Sequence, residues 1–350
     1  QVRMSRIPGL DIGRKELIWY GLAVALFAGL LYVADLDEFV RSVRQADRSL
    51  FVAGLLVGFI SLLVWAWVWH RFFSQLGIES TVSRTVRMFL TGHFLNGVTP
   101  LGQFGGEPIM AYIVSDTTGA EYEPSLAAVI SSDIVNAAPF FTFPLGGIIY
   151  LAAFGRVGNF LLKLGLVTVS LLTVGSAVAY LLWSEDDRLG DSILDFLDRL
   201  QGIVGRGDTV FNSLRESVTE VADAFQQAGS DRRFLLTTGL GSHLAIIAQI
   251  ASLYFVFRAI GLEPTFVPLY FLVTLSTIAT LSPTPGGSGT YEAAFAALMT
   301  IFYPVSLATA LTAAVLFRLT TYWPGLVVGF GAMLTLTSRA DEDKRPEELQ

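Results

Sequence analysis

The sequence predicts an all-α integral membrane protein. It reads as two inverted repeats, each of three transmembrane helices plus a re-entrant Pro/Gly-broken hairpin. Three observations carry this expectation: a shortage of charge, long apolar runs bounded by basic segments, and a Pro/Gly/Glu motif that occurs twice. Of the 350 residues, 53% are hydrophobic and 15% charged, where a soluble domain carries about 25% charged residues. A chain solvated by lipid needs that exchange of charge for apolar length. There is no cysteine, so disulfides and thiolate metal sites are excluded, and the net charge of −7 gives no sign of nucleic-acid binding.

Six apolar runs have about the 20-residue length that a membrane-crossing helix needs. The first, Leu17 to Val33, follows Arg14 and Lys15; no small-residue cleavage site follows it, so it reads as a retained anchor rather than a signal peptide. The second, Leu50 to Phe73, ends in Trp65-Ala66-Trp67-Val68-Trp69-His70-Arg71, read as an aromatic belt at a membrane interface. The others are Ser125 to Phe154, Phe160 to Trp183, Phe234 to Ile260 and Ser306 to Leu336. Two further apolar regions, about 84–115 and 266–302, are interrupted at Thr99-Pro100-Leu101-Gly102 and Thr284-Pro285-Gly286-Gly287. Each reads as two short helices around a break, a geometry tolerated at membrane depth only where protein or a wet cavity surrounds it. The polar stretch of about 184–233 has two series of apolar residues at helical spacing. It reads either as cytoplasmic amphipathic helices on the membrane or as a solvated helical pair. Residues 339–350 form an acidic tail expected to be disordered.

One fixed shift lays the sequence on itself. Thr99-Pro100-x-Gly102-x4-Glu107 meets Thr284-Pro285-x-Gly287-x4-Glu292, Pro139 meets Pro324, and Gly146 meets Gly331. In a register one residue shorter, Leu76-Gly77-Ile78-Glu79 meets Ile260-Gly261-Leu262-Glu263. A duplication explains these matches, giving a first repeat over 1–155 and a second over 156–338. Three crossings per repeat is an odd number, so the second copy is expected upside down, as in many transporters. Arginine and lysine crowd the segments before the first run, after the second, after the fourth and after the sixth, which puts both termini in the cytoplasm of a plasma-membrane protein.

Ionisable residues within apolar helices are costly and so are candidates for function. Glu107 and Glu292 occupy matching places early in the second half of each hairpin. Asp133 and Arg318 match on the third helix of each repeat, with the charge reversed. The glutamates read either as helix caps favoured by the N-terminal dipole or as site residues. Asp133 and Arg318 read as a structural ion pair or as part of a charged path for an amphiphile, and Arg318 has Glu292 as an alternative partner. Half-helix N-termini after Gly102 and Gly287 can face an anion such as phosphate, with Thr99, Pro100, Thr284, Pro285, Gly286 and Gly289 shaping the breaks. Asn96, Gln103 and Tyr291 add hydrogen-bonding groups. No catalytic residue, cofactor or metal is expected. His70, His93 and His243 lack ligand spacing, and Gly287-Ser288-Gly289 lacks the strand and flanking glycines of a nucleophile elbow. His70 reads as an interface residue, and His93 and His243 as buried polar contacts or proton carriers.

At Asn96-Gly-Val-Thr-Pro-Leu-Gly-Gln-Phe-Gly-Gly-Glu107-Pro108 and Pro283-Thr-Pro-Gly-Gly-Ser-Gly-Thr-Tyr-Glu292, the chain resembles the membrane region of lysylphosphatidylglycerol synthase/flippase proteins. Arg318-Leu319-Thr-Thr-Tyr322 is similar to that family's last helix region. The resemblance implies movement of a charged lipid between leaflets. In larger members this region is fused to an aminoacyl-transferase domain, and related domains occur with lipid-linked sugar transferases. This chain has no soluble stretch long enough for either, so no enzyme activity is expected. Three functions remain open: a lipid flippase or scramblase for an anionic, modified or polyprenyl-phosphate-linked lipid; an ion-coupled transporter of a small soluble anion; or a non-transporting scaffold for a membrane-bound glycosyltransferase or other lipid-modifying partner. With no nucleotide motif, movement would be passive or ion-coupled.

Overall fold

The computed structural model describes residues 36–99, 106–154 and 231–343, with isolated positions between 21 and 32 and at 169, 173 and 219. Much of the predicted first crossing, and nearly all of the predicted fourth and of the polar stretch, lie outside the described residues. So do Pro100, Gly102 and Gln103.

The described residues are helical, with no strand among them. In order they form α1 (Leu36–Gln45), α2 (Arg48–Gln75), α3 (Val82–Val98), α4 (Gly106–Thr118), α5 (Tyr122–Phe154) and α6 (Arg232–Ala259). Then follow α7 (Phe266–Ser276), two 3-10 turns (Thr277–Leu281 and Pro285–Gly287), α8 (Thr290–Phe302), α9 (Leu307–Thr321) and α10 (Trp323–Asp343). Four stretches are long and apolar enough to cross a membrane: Arg48–Gln75, Tyr122–Tyr150, Arg232–Ala259 and Leu307–Leu336. They coincide with the predicted second, third, fifth and sixth runs.

The burial pattern is that of a lipid-facing protein. On α2 the exposed stripe is Val52, Leu56, Ile60, Leu63 and Trp67; on α6 it is Leu236, Leu240, Leu244 and Ile247. These are spaced three and four apart, so each forms one apolar helix face, while Ser61, Thr238, Ser242 and Ser252 are buried. Lipid gives apolar side chains no reason to hide, so interiors collect small and hydroxyl side chains that allow close packing.

Local structure repeats as the sequence does. Asp47 caps α2, its Oδ1 accepting from Ser49 N–H (2.8 Å) and Leu50 N–H (3.1 Å), and Asp231 caps α6 through Phe234 N–H (2.9 Å). Each of these 28-residue helices ends in a left-handed glycine, Gly77 (φ 73°) and Gly261 (φ 77°). At both ends a six-residue back-bond closes the turn, Ile78 N–H to Phe73 O and Leu262 N–H to Phe257 O, as helix C-termini with a glycine stop do. A 13-residue helix, α4 or α8, then forms the second half of each broken segment.

The chain divides into two compact units, one of Gln1–Val64, Arg87–Ile109 and Leu244–Gln350, the other of Trp65–Val86 and Met110–His243. In the first, α2 approaches its neighbours through Gly54 and Gly58. A Cβ on Gly58 would sit 2.5 Å from the Thr320 carbonyl oxygen, and Ser252 and Thr320 hydroxyls bond at 2.8 Å beside it. α7 and α8 lie side by side, with Phe271 stacked on Phe302 at 5.7 Å, and Phe295 meets Phe317 of α9 at 6.0 Å.

In the second unit, Phe72 packs edge-on against Phe234 at 5.1 Å. Arg71 bonds Thr237 (2.8 Å) and Thr238 (3.2 Å), and Gly241 receives the Trp67 ring. Residue numbers fall along α2 as they rise along α6, so these two helices are antiparallel. Ser242 bonds the Val135 carbonyl (3.3 Å) and His243 the Thr142 hydroxyl (2.8 Å), so α5 and α6 are parallel.

Three expectations need correction, and one helix was not anticipated. The run from Ser306 to Leu336 is not one regular helix. It is interrupted for one residue at Tyr322, whose backbone stays in the α region (φ −94°, ψ −54°), where Pro324 cannot donate back to Thr320. The acidic tail is not wholly irregular, since α10 runs through Asp343. The segment between the first two crossings contains a helix, α1, whose Glu38 accepts from Ser306 and Thr309 at the start of α9. Trp69 is not part of an interfacial belt, being 1% exposed, although Trp67 is exposed.

Candidate functional site

The second broken segment carries the densest polar chemistry. Between α7 and α8 the backbone turns through Gly286 (φ 53°), Gly287 (φ 68°) and Gly289 (φ 85°), conformations that glycine adopts without steric cost. Hydroxyls satisfy the groups that the break releases. Thr290 Oγ1 donates within reach of Ala279 O (3.0 Å) and Gly287 O (2.9 Å), and Ser282 bonds both Thr284 (2.9 Å) and Thr290 (2.7 Å). Thr284, Pro285, Gly286 and Gly287 are buried.

Arg318, on α9 and 3% exposed, reaches into this break. Its Nη2 donates to Gly286 O at 3.0 Å, and its Nε lies 3.6 Å from Glu292 Oε1. Tyr291 and Tyr322 rings stand 5.0 and 3.8 Å from the guanidinium carbon, within cation–π range. Its Nη1 is buried and has no hydrogen-bond partner among the described residues. Glu292, 6% exposed, is divided between two tasks: Oε2 accepts from Gly289 N–H at 2.7 Å, while Oε1 faces Arg318. It therefore caps α8 and pairs with the arginine at once. The N-terminus of α8 is thus already faced by a carboxylate of the chain, and the guanidinium edge at Nη1 is the buried donor left without an acceptor among the described residues.

The first broken segment is less fully described. Asn96 lies on α3 and Thr99 in the bend after it, both half-buried. A Cβ on Gly106 would collide with Asn96 Oδ1, so the start of α4 requires glycine there. Glu107 follows in the first turn of α4, half-buried. Tyr322 joins the two broken segments: its hydroxyl donates to Gly97 O on α3 at 2.9 Å, and the same hydroxyl fills the space where a Gly286 Cβ would stand. Asp133 belongs to the other unit, where it accepts from Trp69 Nε1 at 3.2 Å.

The structure therefore gathers Thr284, Pro285, Gly286, Gly287, Gly289, Tyr291, Glu292 and Arg318 around one break. Tyr322 and Gly97 belong with them and were missed as site residues. The available signal for Tyr322 was its place four residues after Arg318, on the same helix face. Of the histidines, His70 bonds Thr85 at 3.2 Å and His243 bonds Thr142 and Gly239 O. His93 Nε2 is buried without a partner, and a Cβ on Gly325 would lie 2.7 Å from it.

Apolar lipid-length helices, a backbone broken within an apolar segment and a deep arginine–glutamate pair at the break together define a multi-pass α-helical membrane protein. The chain belongs to the lysylphosphatidylglycerol synthase TM region family, whose pattern it matches over residues 18–329. It is similar to a UPF0104 membrane protein of Pyrococcus horikoshii, 27% identical over 93% of this chain and 98% of the relative. A UPF0104 membrane protein of Methanothermobacter thermautotrophicus is 23% identical over 94% of this chain and 97% of its own length. Glycosyltransferase AglD of Haloferax volcanii is 25% identical over 93% of this chain but only 55% of its own length.

Proposed function

We propose that this protein is a lipid flippase or scramblase, moving an anionic or modified phospholipid or a polyprenyl-phosphate-linked lipid between leaflets, and that it is not an enzyme. The observation that carries the reading is the unpartnered Nη1 of Arg318, buried at a broken backbone segment. A buried charged donor without an acceptor is costly, and one oxygen of an anionic headgroup would satisfy it. Because Nη2 is held by Gly286 O and Nε faces Glu292, that contact is one-pronged. The remainder of the proposal is architectural: two repeats inverted in a plasma membrane, both termini cytoplasmic, and the two broken segments entering from opposite sides.

The AglD relative favours a second reading, in which the region serves a membrane glycosyltransferase partner. AglD carries a matching region within a chain named for glycosyl transfer. Native mass spectrometry of the purified protein separates these readings. Retention of a phosphate-bearing lipid that is lost in Arg318→Gln supports the flippase reading. Retention of no phosphate-bearing lipid, or equal retention by Arg318→Gln, overturns the assignment of Arg318 to a headgroup site.

A further inference from the structure

The geometry points to a second binding site, in the unit of Trp65–Val86 and Met110–His243, that takes a hydroxyl of a polyol group, glycerol or sugar, between Trp65 Nε1 and Asn136 Oδ1. It does not rest on lipid movement or on Arg318.

Both atoms are buried and neither has a hydrogen-bond partner among the described residues, and Asn136 is 9% exposed. Their placement follows from the packing. α2 is antiparallel to α6, and α6 is parallel to α5, so α2 and α5 run in opposite directions. The Trp69–Asp133 bond fixes where they cross. Trp65 is four residues back along α2 on the same stripe as Trp69, and Asn136 three residues onward along α5 on the same face as Asp133. At 1.5 Å per residue those steps are about 6 and 4.5 Å in the same direction, so the indole and the amide come level.

The two unmet groups select the ligand. The indole N–H can only donate and the amide oxygen can only accept. A phosphate or carboxylate would leave Asn136 Oδ1 unpaired, and an ammonium would leave Trp65 Nε1 unpaired. A hydroxyl accepts from one and donates to the other. Such a hydroxyl is what a polyol, glycerol or sugar, carries.

The test is thermal unfolding of the full chain in nanodiscs of phosphatidylcholine, whose headgroup has no hydroxyl, as glucosyl diacylglycerol is titrated in. The expected result is a saturable rise in Tm with glucosyl diacylglycerol and none with phosphatidylethanolamine. Half-saturation should move at least tenfold in Asn136→Leu and in Trp65→Phe. A matching rise with methyl glucoside in the buffer would keep the hydroxyl site and identify its source as a free polyol. No rise with either sugar would mean that water alone bridges the two groups, and it would overturn the proposal. So would an equal rise with phosphatidylethanolamine, or unchanged half-saturation in the variants. The wild-type comparison stands even if a variant fails to fold. None of these outcomes depends on whether the protein moves lipid.

Discussion

Replacing Arg318 with methionine probes the buried pair. Arg318 and Glu292 are 3% and 6% exposed, and their charges face each other at 3.6 Å. Removing the guanidinium leaves the Glu292 carboxylate with the Gly289 N–H as its remaining mapped contact. Breaking one side of a buried ion pair costs about 3–5 kcal/mol. The lost bond to Gly286 O adds about 1 kcal/mol. The double variant Arg318→Met with Glu292→Gln removes the orphaned charge and keeps the α8 cap, because an amide oxygen still accepts from Gly289. It should regain most of the loss, giving a coupling energy of the order of 2–3 kcal/mol. Unfolding in detergent of wild type, both singles and the double yields that coupling directly. A loss below about 0.5 kcal/mol in Arg318→Met, or a double variant as unstable as the sum of the singles, would refute the energetic reasoning. Lipid movement by the same proteins separates structure from site: a stable but inactive double variant places Arg318 in the headgroup path, and a stable, fully active one makes the pair structural.

Gly287→Val should fail in folding as well as in transport. Position 287 has φ 68°, and its Cβ would stand 2.6 Å from the Thr280 Cα; expression with a wild-type melting profile would contradict this. Asp47 is held below its ordinary carboxyl value, first by the Ser49 hydroxyl and then by the N–H groups of Leu50 and Ser49. A depressed folded value means the contribution is complete above the unfolded value of 3.8 and is lost as pH falls through the folded one. Asp47→Asn should therefore flatten the pH dependence of stability below about pH 4, and melting curves between pH 6 and 3 will show whether it does. Cysteine labelling, on a chain with no native cysteine, tests the inverted architecture: positions 116–122 should label from the cytoplasm, and labelling only from outside would contradict it.

The membrane helices were legible because their signal is collective: twenty apolar residues in a row have few other uses. The matching turns at Gly77 and Gly261 were legible for a related reason, since such residues are dictated by backbone conformation rather than by packing. The break in the last crossing was only half legible. Pro324 is visible in the sequence, but Pro139 and Pro144 lie within an unbroken α5, so proline alone does not locate a break. The charges were found as candidates, but their partners are fixed by tertiary packing. Periodicity left Arg318 free to face Asp133 or Glu292, and only the fold of the Pro285–Gly287 turn brings Glu292 to it. Trp69 was misjudged because an indole at an interface and a buried indole bonded to a half-buried carboxylate look alike in sequence.

The central claim is that this protein moves a headgroup-bearing lipid across the bilayer through the Arg318 site. Vesicles holding the purified protein and a trace of fluorescent anionic phospholipid or polyprenyl phosphate, bleached by a membrane-impermeant reductant, measure it directly. The account predicts that wild type exposes the inner-leaflet pool to the reductant, whereas the folded Arg318→Met, Glu292→Gln double variant leaves it protected. Protection of the inner pool by wild type for both lipid classes, or equal exposure by the double variant, would contradict the account.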